Sequence, residues 1–204
     1  MTTVLWVEKD ADADGDGSSE RPFSSIQDAL DAAEPGSLIM VRAGSYDENI
    51  DFSKGGATGA PITLKSADGV GAAVIKPADP SQDTIQIDGH DHIAIDGFEL
   101  HGSSDVSRQV IHIHAVEGNT NPASHIMISN NVIVRGEGDG IKVSKSTDVS
   151  ITNNVIKGGG EKESAIDIVG GARAVIDGNV ITDTPKIGIM VKGGSKDIAI
   201  TNNQ

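Results

Sequence analysis

Four side chains of unlike chemistry recur at matching positions of a repeat. His112, Lys142 and Asp167 share one register, and His114 lies two residues beyond His112. Imidazoles, an amine and a carboxylate in one patch are what acid–base catalysis needs, because one group must take a proton while another supplies one. A column serving stability alone would stack like with like, and this one does not. Lys142 is the candidate base, His112 or His114 the candidate acid, and Asp167 orients the amine or binds a cation. Asp139 and Lys145 stand at the edges of the patch as candidate substrate contacts, and the inserted segment 116–124 would wall one side. A separate acidic run, Asp10, Asp12, Asp14 and Asp16, follows the first half of a calcium loop, D-x-D-x-D-G. Its twelfth position holds Arg21 where a calcium loop has a bidentate Glu, so Ca²⁺ on these four carboxylates rests on half a motif. The glycines at 136–140 and 158–160 read as turns, because no helix follows to present amide dipoles to a phosphate.

The elements that must position these residues form a ladder. Ile85-Gln86-Ile87, Ile111-His112-Ile113, Ile141-Lys142-Val143, Ile166-Asp167-Ile168 and Ile189-Met190-Val191 superimpose at spacings of 26, 30, 25 and 23 residues. A second apolar-x-apolar unit follows each of them: Ile93/Ile95, Ile126/Ile128, Val149/Ile151, Ala174/Ile176 and Ile198/Ile200. Beyond it lies a further inward Leu100, Ile133, Ile156 or Ile181. Apolar residues two apart point to one side of a strand, so three short strands per repeat are expected, with Ile and Val inside. One such turn cannot bury its own apolar face, whereas turns stacked at about 4.8 Å share a continuous core. The expected fold is therefore all-β, a single-stranded parallel β-helix. Asn131, Asn154, Asn179 and Asn203 recur at one corner, where stacked amides can satisfy a tight turn.

Upstream, Ser24 as N-cap and Gln27 three residues on predict a short capping helix running to about Glu34. Its apolar face, Ile26, Ala29, Leu30 and Ala33, would close the first turn, as a solenoid requires. Residues 1–36 thus read as an N-terminal strand, acidic loop and cap, and residues 37–204 as about seven turns. At the far end no element covers the Ile198/Ile200 layer, so the expectation is a continuing C-terminal region or another chain over the open end.

Composition narrows the partners. Lys+Arg number 16 against Asp+Glu 30, a net charge of −14, which argues against nucleic acid and anionic lipid. No stretch of about 20 apolar residues is present to span a membrane, and the N-terminus has no secretory-signal pattern. With no cysteine, disulfide and thiolate chemistry are excluded. Aromatics are 2% of the chain against 25 glycines, so the core must be aliphatic layers and stacking platforms for neutral sugars are scarce.

The run 16–27 (DGSSERPFSSIQ), with Pro35-Gly36-Ser37, Ala43-Gly44-Ser45-Tyr46 and Ala60-Pro61-Ile62-Thr63, resembles the start of right-handed parallel β-helix proteins. It is particularly similar to bacterial polysaccharide lyases of the pectate-lyase and alginate-lyase kinds. The resemblance implies secretion, an acidic uronate polysaccharide as partner, and β-elimination or C5-epimerisation. It implies a basic residue, often Lys, that removes the C5 proton, and often Ca²⁺ on the substrate carboxylate. On this chain Lys142 would be the base and His112 or His114 the acid, with Lys145 and Arg108 or Arg135 near the carboxylate. The paired-Asp calcium cluster of family 9 pectate lyases has no counterpart here. The tyrosine expected in many alginate-type enzymes could only be Tyr46, several layers away. The alternative is a non-catalytic β-helix module, binding or structural, in a larger exported protein.

Overall fold

The computed structural model describes residues 2–115 and 122–204. Segment 116–121, most of the expected wall beside the patch, lies outside the described residues. The chain winds through three parallel sheets, of eight, six and six strands, and each strand inside a sheet pairs with its equivalents one turn before and one turn after, the end strands pairing on one side only. Six turns contribute a strand to every sheet, while Val4–Val7 is added at one end of the largest sheet and Ala199–Thr201 at the other.

The period-two pattern determines this architecture. Inward residues such as Ile85, Ile87, Ile111, Ile113, Ile141 and Val143 are fully buried, and they join the other sheets' Ile and Val in one aliphatic cluster. Burial of each such side chain contributes about 1.5–3 kcal/mol, and stacking is what supplies that burial. At one corner Asn131, Asn154 and Asn179 each donate their backbone N–H to the side-chain oxygen of the next Asn, at 2.9 Å in all three cases. Their amide nitrogens donate to Ile95, Ile128 and Ile151 carbonyls of the preceding turn. The corner is thus satisfied without water.

The cap forms one residue later than the sequence predicts. The helix runs Ile26–Ala32 with Ser25 as N-cap, and Ser25 Oγ accepts from Asp28 N. Gln27 does not reach back to its own cap; it exchanges two hydrogen bonds with the backbone of Asp51, both 2.9 Å. Its place is taken by Glu48, whose carboxylate accepts from Ser25 Oγ, Ile26 N and Gln27 N at 2.9, 3.1 and 3.1 Å. Ile26, Ala29 and Leu30 face the core, tying the cap to the first turn.

Candidate active site

The sheet formed by Ile50–Phe52, Ile85–Asp88, Ile111–His114, Ile141–Ser144, Ser164–Val169 and Ile187–Lys192 carries the patch. Its register stacks Asp51, Gln86, His112, Lys142, Asp167 and Met190 in one column, and Asp88, His114, Ser144, Val169 and Lys192 in the next. His112, His114, Lys142 and Asp167 are therefore neighbours, as their spacing required. The two imidazoles lie side by side with centroids 4.3 Å apart and their planes tilted by 34°.

Each basic group stands on a carboxylate. His112 Nδ1 lies 3.0 Å from Asp83 Oδ2, leaving Nε2 to face Ser144 Oγ at 3.4 Å. His114 Nε2 pairs with Asp88 Oδ1 at 2.7 Å, and Gln86 Nε2 donates to the other oxygen of Asp88. Lys142 Nζ is 3.2 Å from Asp139 Oδ2 and 4.0 Å from Asp167 Oδ2, while Lys192 Nζ is 2.9 Å from the same Asp167 oxygen. Asp167 pushes the Lys192 ammonium above its ordinary range, against an opposing effect of burial.

Asp83 and Asp139 divide their oxygens between structure and site. Asp83 Oδ1 accepts from Gln109 N at 2.7 Å, Gln109 Oε1 accepts from Asp139 N at 3.1 Å, and Asp139 Oδ1 accepts from Ser164 N at 2.8 Å. One oxygen of each carboxylate thus joins consecutive turns, and the other holds His112 or Lys142. The sequence reading missed Asp83, although positions 83, 109 and 139 repeat the spacing of Ile85, Ile111 and Ile141.

Several expected residues stand elsewhere. Asp139, expected at the groove edge as a substrate contact, is wholly buried beneath Lys142. Arg135 does not reach the patch. It shares the inward parity of Ile133, and its guanidinium donates to the Gly158 and Gly138 carbonyls at 3.1 Å each. Burial pushes that guanidinium below its usual range, with Asp139 opposing the shift. Gly159 lies against it, since a Cβ there would be 2.4 Å from Arg135 Cζ. Arg108 sits on the loop entering the His112 strand, one residue before Gln109. Lys145 is exposed at the corner after Ser144. Tyr46 is fully buried, donates to the Arg42 carbonyl at 2.9 Å and has its hydroxyl pushed up to about 12 by burial, so it is no proton carrier for this face.

The N-terminal carboxylates do not fit a calcium loop. Arg21 places its guanidinium 3.1 Å from Asp14 and 3.3 Å from Asp16, neutralising two of the four. Asp10, Asp12 and Asp14 line a hollow there that Asp16 does not join.

Residues 5–159 match the Pel9A-like right-handed β-helix region, and the chain belongs to that family. The uncharacterized protein YwoF of Bacillus subtilis is 28% identical over 134 residues, covering 63% of this chain and 28% of its own. Pectate lyase PEL9 of Emericella nidulans is 35% identical over 71 residues, 34% of this chain and 17% of its own. An alginate lyase from a Paenibacillus species shares the fold, with a TM-score of 0.66 and 20% identity over 87% of this chain and 62% of that one. The chain spans less than a third of the length of either curated relative.

Proposed function

We propose that this face removes the proton α to the carboxylate of a uronate residue in an acidic polysaccharide, the step shared by β-elimination and C5-epimerisation. The observation that carries the reading is the Asp83–His112 pair, with Asp83 almost wholly buried, directly beneath Lys142. Membership of the Pel9A-like family supports it, as do the pectate and alginate lyases among the similar proteins.

The roles follow from the contacts. With Nδ1 on Asp83, His112 presents Nε2 as the proton acceptor. Lys142 has acceptors in Asp139 and Asp167, which suits it to a fixed positive charge facing the substrate carboxylate and the enolate-like intermediate. His114 packs against His112 with Nε2 on Asp88 and Nδ1 3.3 Å from the Ala115 carbonyl, the proton that His112 takes returns to the leaving oxygen, and Lys145 adds charge at the rim. In a chain of net charge −14 this local cluster is what admits an anionic polymer. Action outside the cell, where such polymers lie, belongs to the same proposal.

The test uses alginate, polygalacturonate and glycosaminoglycans, reading the ultraviolet absorbance of unsaturated uronate products and, for epimerisation, polymer NMR. His112→Ala should lower the rate by about 10²–10⁴-fold. Lys142→Arg should retain most activity and Lys142→Ala lose it, because an arginine keeps the charge; loss in both would make Lys142 the base. Absence of both product and epimerised polymer on every substrate would reduce the face to a binding or structural surface.

A further inference from the structure

Ser144 stands at the end of a relay that proton abstraction from a uronate does not use. It is the last residue of the strand Ile141–Ser144, paired in register with His114 on one side and Val169 on the other. Its Oγ lies 3.4 Å from His112 Nε2, and among the described residues this hydroxyl has no other hydrogen-bond partner. His112 Nδ1 in turn lies 3.0 Å from Oδ2 of Asp83, whose side chain is 3% exposed. The backbone N–H of Gln109, donating to Asp83 Oδ1 at 2.7 Å, fixes that carboxylate in place. Carboxylate, imidazole and hydroxyl therefore follow one another from the interior to the surface.

This order has a chemical consequence. A buried carboxylate holds the imidazole proton on Nδ1, which leaves Nε2 bare to take the hydroxyl proton as the oxygen attacks. The 3.4 Å contact is long, and contacts of this kind tighten once a substrate is held. The backbone N–H of Lys145 is engaged by the Val169 carbonyl, so the charge on a tetrahedral intermediate falls to the ammonium groups that flank Ser144 in sequence, Lys142 and Lys145. The outward positions around Ser144 are His112, His114, Lys142, Asp167 and Val169, which offer polar partners for sugar hydroxyls and no apolar slot for a long acyl chain.

We infer that Ser144 is the nucleophile of a second activity, the hydrolysis of acetyl esters carried on glycan hydroxyls. Ser144 Oγ bonds to the ester carbonyl carbon while its proton passes to His112 Nε2. The bond from that carbon to the sugar oxygen then breaks, and His112 returns the proton to the departing sugar hydroxyl. Water next gives a proton to His112 as its oxygen bonds to the acyl carbon; the bond to Ser144 breaks, Ser144 recovers the proton, and acetic acid leaves. His112 serves both activities, whereas Ser144 acts as a nucleophile only in this one.

The experiment treats the full chain with a fluorophosphonate, locates the label by mass spectrometry, and measures acetate released from O-acetylated alginate, pectin and xylan. The expected result is a label on Ser144 and acetate from at least one polymer. Ser144→Ala and His112→Ala should each lower acetate release by about 10²–10⁴-fold. Ser150→Ala, which removes an outward serine of the largest sheet, should change nothing. An unlabelled Ser144 with no acetate from any polymer, or release undiminished in Ser144→Ala, would overturn the inference. The uronate reading is judged separately, by unsaturated or epimerised product from polymers that carry no ester.

Discussion

Lys145 occupies a backbone position with φ of 53°, where the equivalent corners of other turns hold Gly89, Gly170 and Gly193. A side chain in the left-handed region costs about 1–2 kcal/mol, and here it sets an ammonium beside the candidate site. Lys145→Gly is therefore expected to leave the fold unchanged or raise its stability by up to about 1 kcal/mol in urea denaturation, while weakening polyuronate binding. Loss of stability together with unchanged binding would show that the lysine serves the corner alone. A second residue-scale prediction concerns acid. Arg173 donates to both oxygens of Asp148, holding that carboxyl down at about 2. A carboxyl whose folded value is depressed contributes stability above its unfolded value, near 3.8, and loses it as pH falls towards 2. The difference in urea midpoint between wild type and Arg173→Ala should thus be constant at neutral pH and shrink between those two values. Because Arg173 is largely exposed, the difference should also fall with added salt.

At the scale of the element, hydrogen bonds between turns matter as much as the apolar layers. Asn154 is fully buried and makes bonds to both neighbouring turns, so Asn154→Ala strands donors and acceptors that water cannot reach. A cost of about 1–3 kcal/mol is expected, measured by thermal or urea unfolding, whereas the exposed Asn130→Ala should cost far less. The strand register was legible in the sequence because apolar pairs two apart leave one choice of inward face, which is why His112, Lys142 and Asp167 could be aligned before any coordinates. Arg135 misled because its charge was read ahead of its parity with Ile133, and Asp83 was missed because it lies two residues before its apolar triplet. The helix start was misplaced by one because adjacent serines offer the same cap, and only Glu48, contributed by a later segment, decides between them.

For the whole molecule, a rod of near-identical turns has no long-range packing beyond each turn's neighbours. A cavity in any central layer should therefore weaken the stack locally, with Ile128→Ala costing about 2–5 kcal/mol by denaturation. The final strands, Ile187–Lys192 and Ala199–Thr201, pair on one side only among the described residues, and Val191 and Ile200 remain 39% and 46% exposed. The turns also differ in length at the corners on either side of the candidate-site strands, and residues 77–84, 102–110, 136–140, 159–163 and 183–186 are the segments that lead into those strands. Loops of eight, nine, five, five and four residues at that address change the rim without altering the register beneath it. New selectivity could thus be grafted turn by turn onto an unchanged spine.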